Sequence, residues 1–240
     1  VVEAAGGQGV FVLEPESPSL VEHVRFVGLR APNRKGWGLT GAVTFYGSTV
    51  EIASSEFVDN DSEDALNLIN SEFEIRDSLF LNTRSDSLDS DFSNGTISNS
   101  RFSKAGNDAV DVSGTELTLN DVTINDFGDK GISAGEDSRI HGRNVQLLDG
   151  AVAVASKDSS TISIDGLFIN GSRVGFTAYR KKPEFTHARI FANKAVLEAI
   201  EVPHLIEKNS QLQLNGEDVI ADQVDVESVM YGGFYGKASR

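Results

Sequence analysis

Six apolar residues, Leu66, Leu88, Val110, Ile132, Val154 and Phe176, recur at intervals of 22 without an insertion. A fixed period of that length constrains architecture before any local propensity does. A second column holds Phe57, Phe80, Phe102 and Ile124, at intervals of 23, 22 and 22, and a third holds Ile75, Ile97 and Leu119. Three apolar columns predict three inward-facing segments per repeat. Within a repeat, Ala65-Leu66-Asn67-Leu68 and Glu72-Phe73-Glu74-Ile75 alternate with the two-residue period of a strand. Turn residues stand at matching places, in Asp59-Asn60-Asp61, Ser93-Asn94-Gly95, Gly106-Asn107-Asp108, Gly128-Asp129 and Asp149-Gly150, and helical spacing is not sustained. The expected fold is all-β, a right-handed parallel β-helix whose coils, stacked ~4.8 Å apart, turn each column into a buried ladder. Each buried member contributes on the order of 1.5 to 3 kcal/mol before chain entropy is subtracted. Leucine-rich repeats share the period but need Leu-x-x-Leu-x-Leu-x-x-Asn and a helical segment per repeat, whereas these coils exchange Phe, Val and Ile freely.

A single domain is expected: an irregular N-terminal coil over residues 1–35, regular coils over 36–193, and a C-terminal coil and cap over 194–240. There the 22-residue register is lost and the strand-like Gln211-Leu212-Gln213-Leu214 precedes Asn215-Gly216. Solenoid ends expose apolar side chains and unpaired backbone, so a cap is required. The balance of 21 Lys plus Arg against 36 Asp plus Glu, a formal charge of −15, sets the chain against nucleic acid and anionic membrane. No apolar run approaches the ~20 residues of a membrane span, so no membrane insertion is expected, and residues 1–9 lack the pattern of a signal peptide. Starting in mid-pattern at Val1-Val2-Glu3-Ala4, the chain reads as part of a longer polypeptide. Without cysteine, disulfides and thiolate metal sites do not arise.

Three segments, Ser62-Glu63-Asp64-Ala65-Leu66-Asn67, Gly106-Asn107-Asp108-Ala109-Val110-Asp111 and Gly128-Asp129-Lys130-Gly131-Ile132-Ser133, resemble coils of the pectate-lyase-like right-handed β-helix superfamily. The resemblance covers roughly residues 36 to 193 and speaks to fold more than to activity. Similar modules occur appended to kinase-like domains of the spore-coat CotH type in bacterial surface proteins. It implies a secreted or cell-surface protein, bacterial in origin.

Asp64, Asp86, Asp108 and Lys130 share one coil position, and three residues on Asn67, Asp89, Asp111 and Ser133 form a parallel column, with Asp91 adding a carboxylate. Two carboxylates one coil apart repel by roughly 3 to 4 kcal/mol at an effective dielectric near 20. Three devices would offset this: Ca²⁺ held by Asp64, Asp86 and Asp108, a carboxyl kept protonated as in acid and base pairs, or hydrogen bonds to turn amides with Lys130 as a surface counter-charge. Between Phe26 and Val43 the chain carries about nine residues more than later coils do, an insertion holding Arg30, Arg34, Lys35 and the only tryptophan, Trp37. Positive charge can hold a sugar carboxylate and indole can stack on a pyranose, so Arg34, Lys35, Trp37, Asp89 and Asp111 are candidate substrate contacts in a polysaccharide groove, the glycan being acidic. Trp37 covering the first coil's core is the plainer alternative.

Two mechanisms fit such a groove. In one, Ca²⁺ neutralises a uronate carboxylate and Lys130 removes the acidified C5 proton, as in calcium-dependent pectate-lyase relatives. In the other, Asp86 and Asp108 are the carboxylate pair of a glycosidase. Ser85-Asp86-Ser87-Leu88-Asp89, Asn107-Asp108 and Lys130-Gly131-Ile132-Ser133 follow the motif order of polygalacturonases, which this chain resembles there, with Asn107 replacing an aspartate and Lys130 a histidine. A non-catalytic structural or adhesive module is the reading from another class. The G-x-S-x-G of Gly131 to Gly135 sits in mid-ladder rather than at a strand-to-helix elbow. His23, His141, His187 and His204 lack metal-ligand spacing.

Overall fold

A computed structural model describes residues 2–3, 8–34, 36–222 and 224–232. The chain is a parallel β-solenoid of about eight turns, and three sheets run along its length. Sheet I contains Val10–Leu13, Gly41–Tyr46, Asp64–Ile69, Asp86–Asp91, Val110–Ser113, the segments 130–135 and 152–157, Val174–Tyr179 and Val202–Ile206. Sheet II begins at Ser19–Glu22 and ends at Gln211–Leu214. Sheet III begins at Val2–Glu3 and ends with residues 195–198. Regular pairing therefore starts with the first described strand, and it continues past residue 193.

The expected columns are the observed ladders. Leu66 pairs with Leu88, then Val110, Ile132, Val154 and Phe176, all fully buried. In sheet III the rings of Phe26, Phe57, Phe80 and Phe102 stack with centroids 4.9, 4.6 and 4.5 Å apart, the spacing that parallel strands impose on rings sharing one rotamer.

The bends are held by devices of their own. Ser48, Ser71, Ser93, Thr115, Ser138 and Ser160 form a buried hydroxyl ladder in which each backbone N–H donates to the next coil's hydroxyl, at 3.0–3.1 Å. A second ladder joins Val24, Ser55, Ser78 and Ser100. Backbone groups turned inward at a corner have no sheet partner, and these hydroxyls satisfy them. Between sheets II and III the chain turns on left-handed residues Ser54, Asp77, Asn99, Asp121 and Asn144, with φ of 49, 53, 47, 56 and 54°, a conformation that Asn and Asp tolerate better than most.

Besides single-residue additions, as from Phe57 to Phe80, two large departures from 22 residues are located. The first lies ahead of Gly41, where Asn33–Arg34 pairs antiparallel with Trp37–Gly38 as a small hairpin outside the solenoid sheets. The second is the turn 180–188, which lengthens the step from Phe176 to its partner His204 to 28 residues. Gln211–Leu214 is thus a solenoid strand that pairs parallel with 189–192, and Glu217–Asp218 folds back antiparallel on it. Against the expectation of no helix, Val226–Met230 forms one (α1), N-capped by Asp225, whose carboxylate accepts from the Ser228 N–H at 3.0 Å.

Candidate functional site

The site lies where the chain enters sheet I. In a regular strand, residues three apart point to opposite faces, yet Asn67 Nδ2 donates to Asp64 Oδ2 at 3.1 Å. The pairing explains this: Asp64 pairs with Asp86 and Leu66 with Leu88, while Ala65 is passed over. The skipped position, a kink, holds Ala42, Ala65, Ser87, Ala109, Gly131, Ala153 and Gly175 in successive coils. Only small residues fit: a Cβ at Gly131 or Gly175 would stand 2.8 or 2.6 Å from the next coil's carbonyl oxygen. Gly106, which sets up the turn before Asp108, is tighter still, with the Arg84 carbonyl oxygen 2.0 Å from where its Cβ would be.

Because of this kink, the acidic columns share one cleft of about 270 Å³. Asp64, Asp86, Asp89, Asp108, Asp111 and Lys130 all line it, as their spacing predicts. Asp86 Oδ1 accepts from the Asp108 N–H at 2.9 Å and from Asn107 Nδ2 at 2.6 Å. One coil on, Asp108 Oδ1 accepts from the Lys130 N–H at 3.0 Å. Lys130 Nζ lies 3.5 Å from Asp108 Oδ1 and 2.7 Å from Asp129 Oδ2. Asn67 Nδ2 also donates to Asp89 Oδ2 at 3.0 Å, bridging two acids.

The bland expectation of solvated aspartates and a surface lysine is half right: the turn-amide bonds exist, but Asp86, Asp108 and Lys130 are 8, 3 and 6% exposed. Burial sets the protonation. It pushes Asp86 up to about 7, with Asp108's charge adding to the rise. It pushes Asp108 and Asp64 up to about 6, in Asp108 against the opposing pull of Lys130, and it raises Asp89 and Asp91 as well. Burial also disfavours the Lys130 ammonium, but Asp108 and Asp129 together outweigh it and hold the amine above its usual range.

Residues that spacing alone did not single out complete the cleft: Thr40, Asn107, Asp129, Lys157, Lys181 and Tyr231. Lys157 is 8% exposed, with Nζ 3.8 Å from Asp111 Oδ1. A signal for it was available, since Lys157 stands three 22-residue steps from Asp91. Tyr231 arrives from the C-terminal end, its hydroxyl 3.4 Å from that of Tyr179 and its ring 5.0 Å below Lys181 Nζ. The basic turn of Tyr179 to Lys182 is correspondingly tied down, the Lys181 and Lys182 N–H groups donating to Asp158 Oδ1 at 2.7 and 2.8 Å. Of the insertion, Arg34 and Trp37 lie on the hairpin ahead of the cleft, and Lys35 lies outside the described residues.

Among the described residues no three acidic or histidine side chains converge as metal ligands would. Asn107 and Asn67 turn amide nitrogens, not oxygens, toward Asp86, Asp64 and Asp89. The positive charge beside Asp108 is already supplied by Lys130.

No family model and no curated protein matches the chain. Solved structures do match. They include the catalytic domain of a GH87 α-1,3-glucanase in complex with tetrasaccharides (12% identity over 86% of this chain, TM-score 0.29). They also include the Azotobacter vinelandii mannuronan C-5 epimerase AlgE4 A-module (12% identity, 78% of this chain and 68% of that one, TM-score 0.24). A third is PfbA, a surface adhesin of Streptococcus pneumoniae (11%, 90% and 78%, TM-score 0.22). The chain spans 63% of the glucanase domain. At this identity the likeness concerns fold alone.

Proposed function

We propose that the sheet I cleft is a saccharide-processing site of a secreted or surface β-helix, in which Asp86 and Asp108 act as an acid and base pair on a glycosidic bond. The observation that carries this is their shared setting. They occupy adjacent coils, each with one carboxyl oxygen pinned by the next coil's N–H, and burial brings both into the range where one is protonated and the other ionised near neutral pH. Lys130, held above its usual range, stays an ammonium. It is a poor base for the C5 proton of a uronate, so hydrolysis is favoured over elimination or epimerisation. The lining sets Glu63, Asp64, Asp86, Asp89, Asp108, Asp111 and Asp129 against Lys130, Lys157 and Lys181, which favours a neutral, hydroxyl-rich glycan over the acidic one expected from sequence.

The test is incubation with neutral glucans and with polyuronates, following reducing ends and unsaturated-product absorbance in parallel. Reducing ends without unsaturation, abolished in Asp108→Asn, are the expected result. Unsaturated product would favour elimination, and silence on every glycan would retire catalysis. A structural or adhesive reading stays alongside for one reason: the Asp-to-N–H bonds repeat what the serine ladder does in the other bends. On that reading Asp108→Asn changes stability and nothing else.

A further inference from the structure

The outer face of sheet II carries a divided charge pattern. Its central outward ladder runs Leu20, Glu51, Glu74, Thr96, Thr118, His141, Ser163, Phe191 and Gln213, and its first outward ladder runs Thr49, Glu72, Asn94, Glu116, Arg139, Thr161 and Arg189. On the N-terminal half stand Glu22, Glu51, Glu72, Glu74 and Glu116, offset only by Arg76. On the C-terminal half stand Arg139, Arg143, Arg189 and His141, offset by Asp165, by Asp137 beside Arg139 and by Asp218 at the far edge. A chain of net charge −15 thus places three arginines together on one end of one sheet face. The acidic half is also concave, a depression of about 490 Å³ lined by Glu51, Glu72, Glu74, Asn94 and Glu116.

We propose that this face binds a second copy of the chain, with the two solenoids antiparallel. A two-fold axis lying in the interface along the strand direction, between the rows of Thr96 and Thr118, sets Arg139 over the partner's row of Glu72. The same axis sets His141 over the row of Glu74 and the exposed Leu20 over that of Phe191, and it also brings Arg143 to the partner's Arg76, a like-charge contact at the margin of the face. Such a contact is isologous, so every favourable pairing occurs twice. The eight rows that this axis superposes, at ~4.8 Å, and about five residues at ~3.3 Å give an area of roughly 600 Å² per copy, at the low end for specific association, so a weak, reversible dimer is expected. Sheet I is a different face, and its cleft stays open in the pair. The repulsion of two acidic bodies acts at long range and is cut at a Debye length of about 8 Å in physiological salt, whereas facing side chains are closer than that. Association is therefore strongest near 0.15 M salt and weaker at both 0.01 M and 1 M.

Sedimentation equilibrium at tens to hundreds of micromolar tests this with two sets of charge changes at exposed positions, Arg139→Glu/His141→Glu and Glu72→Arg/Glu74→Arg. Each variant alone is expected to be monomeric where the unmodified chain dimerises. Their equimolar mixture is expected to form a heterodimer at least tenfold tighter than the unmodified pair. A monomeric unmodified chain at the highest concentration, dimerisation that survives both sets of changes, or a mixture that stays monomeric would each overturn the proposal. Circular dichroism melts of the variants verify that the fold is intact before the comparison is made.

Discussion

Replacing Asp86 by Asn should stabilise the protein above neutral pH. The carboxyl is pushed from 3.8 to about 7, chiefly by burial and next by Asp108. At ~1.4 kcal/mol per tenfold change in acidity, ionising it in the folded state costs roughly 4 kcal/mol. Relaxation and water entry reduce such penalties, so a gain of roughly 1 to 3 kcal/mol at pH 8 is the expected magnitude. The amide oxygen of Asn can accept the same bonds from Asn107 and the Asp108 N–H. The sign follows from proton linkage: between pH 4 and 7 the folded state binds more protons than the unfolded one, so stability is fully present below about 4 and is lost as pH rises through about 7. Asp64 and Asp108, both raised to about 6, act in the same direction. Urea melts of both proteins from pH 4.5 to 8.5 provide the assay, and the difference between them isolates Asp86 from the self-repulsion of the whole acidic chain. A variant less stable than its parent at pH 8, or a difference that does not grow between pH 5 and 8, would refute the buried-acid account.

Three further outcomes are expected. Lys130→Met removes the ammonium beside Asp108 and Asp129 and should cost about 3 to 5 kcal/mol at pH 8, less at pH 5 where Asp108 takes up a proton, as the same urea melts would show. Phe80→Ala empties the middle of the ring stack between Phe57 and Phe102 and should cost about 3 to 5 kcal/mol with little effect on the cleft. Millimolar Ca²⁺ should leave the melting temperature unmoved, and a rise reversed by chelator would show that the acids rearrange into a metal site.

The apolar ladders were legible because one physical demand, burial in register, recurs at every coil and leaves the same residue class at Leu66, Leu88 and Val110. The acidic columns were legible for the same reason. What escaped was the meaning of columns with mixed chemistry. The hydroxyl ladder from Ser48 to Ser160 is as periodic as the leucines, but serine is common at any turn and its burial is visible only in three dimensions. The small-residue kink at Ala65, Ser87, Ala109 and Gly131 is likewise periodic, and it decides that Asp64 and Asn67 face the same way. Lys181 and Tyr231 could not be read at all from spacing, because they come from a lengthened turn and from the end of the chain, where the 22-residue register no longer relates sequence to position.

The division of sheet I accounts for where the cleft stops. Along the entering column the chain places Asp64, Asp86, Asp108 and Lys130, and then Val152, Val174 and Val202 at the same geometric position. Along the next outward column Asn67, Asp89, Asp111 and Ser133 give way to Ala155, Thr177 and Leu205. The change coincides with cover: Val226 and Met230 of α1 pack against Val152, Ala155, Val174 and Tyr179. Apolar side chains on an outer face are stable only under such a cover, and buried acids only where amides and ammoniums answer them. The boundary between the two regimes is therefore the one place where groups from the covered half, Lys157, Lys181 and Tyr231, can reach acids of the other half. It is there that the cleft has its mixed charge, so Lys130→Val, which leaves Asp108 and Asp129 without their ammonium, should remove the site at a cost of about 3 to 5 kcal/mol in urea melts at pH 8, with the far-ultraviolet circular dichroism of the solenoid unchanged.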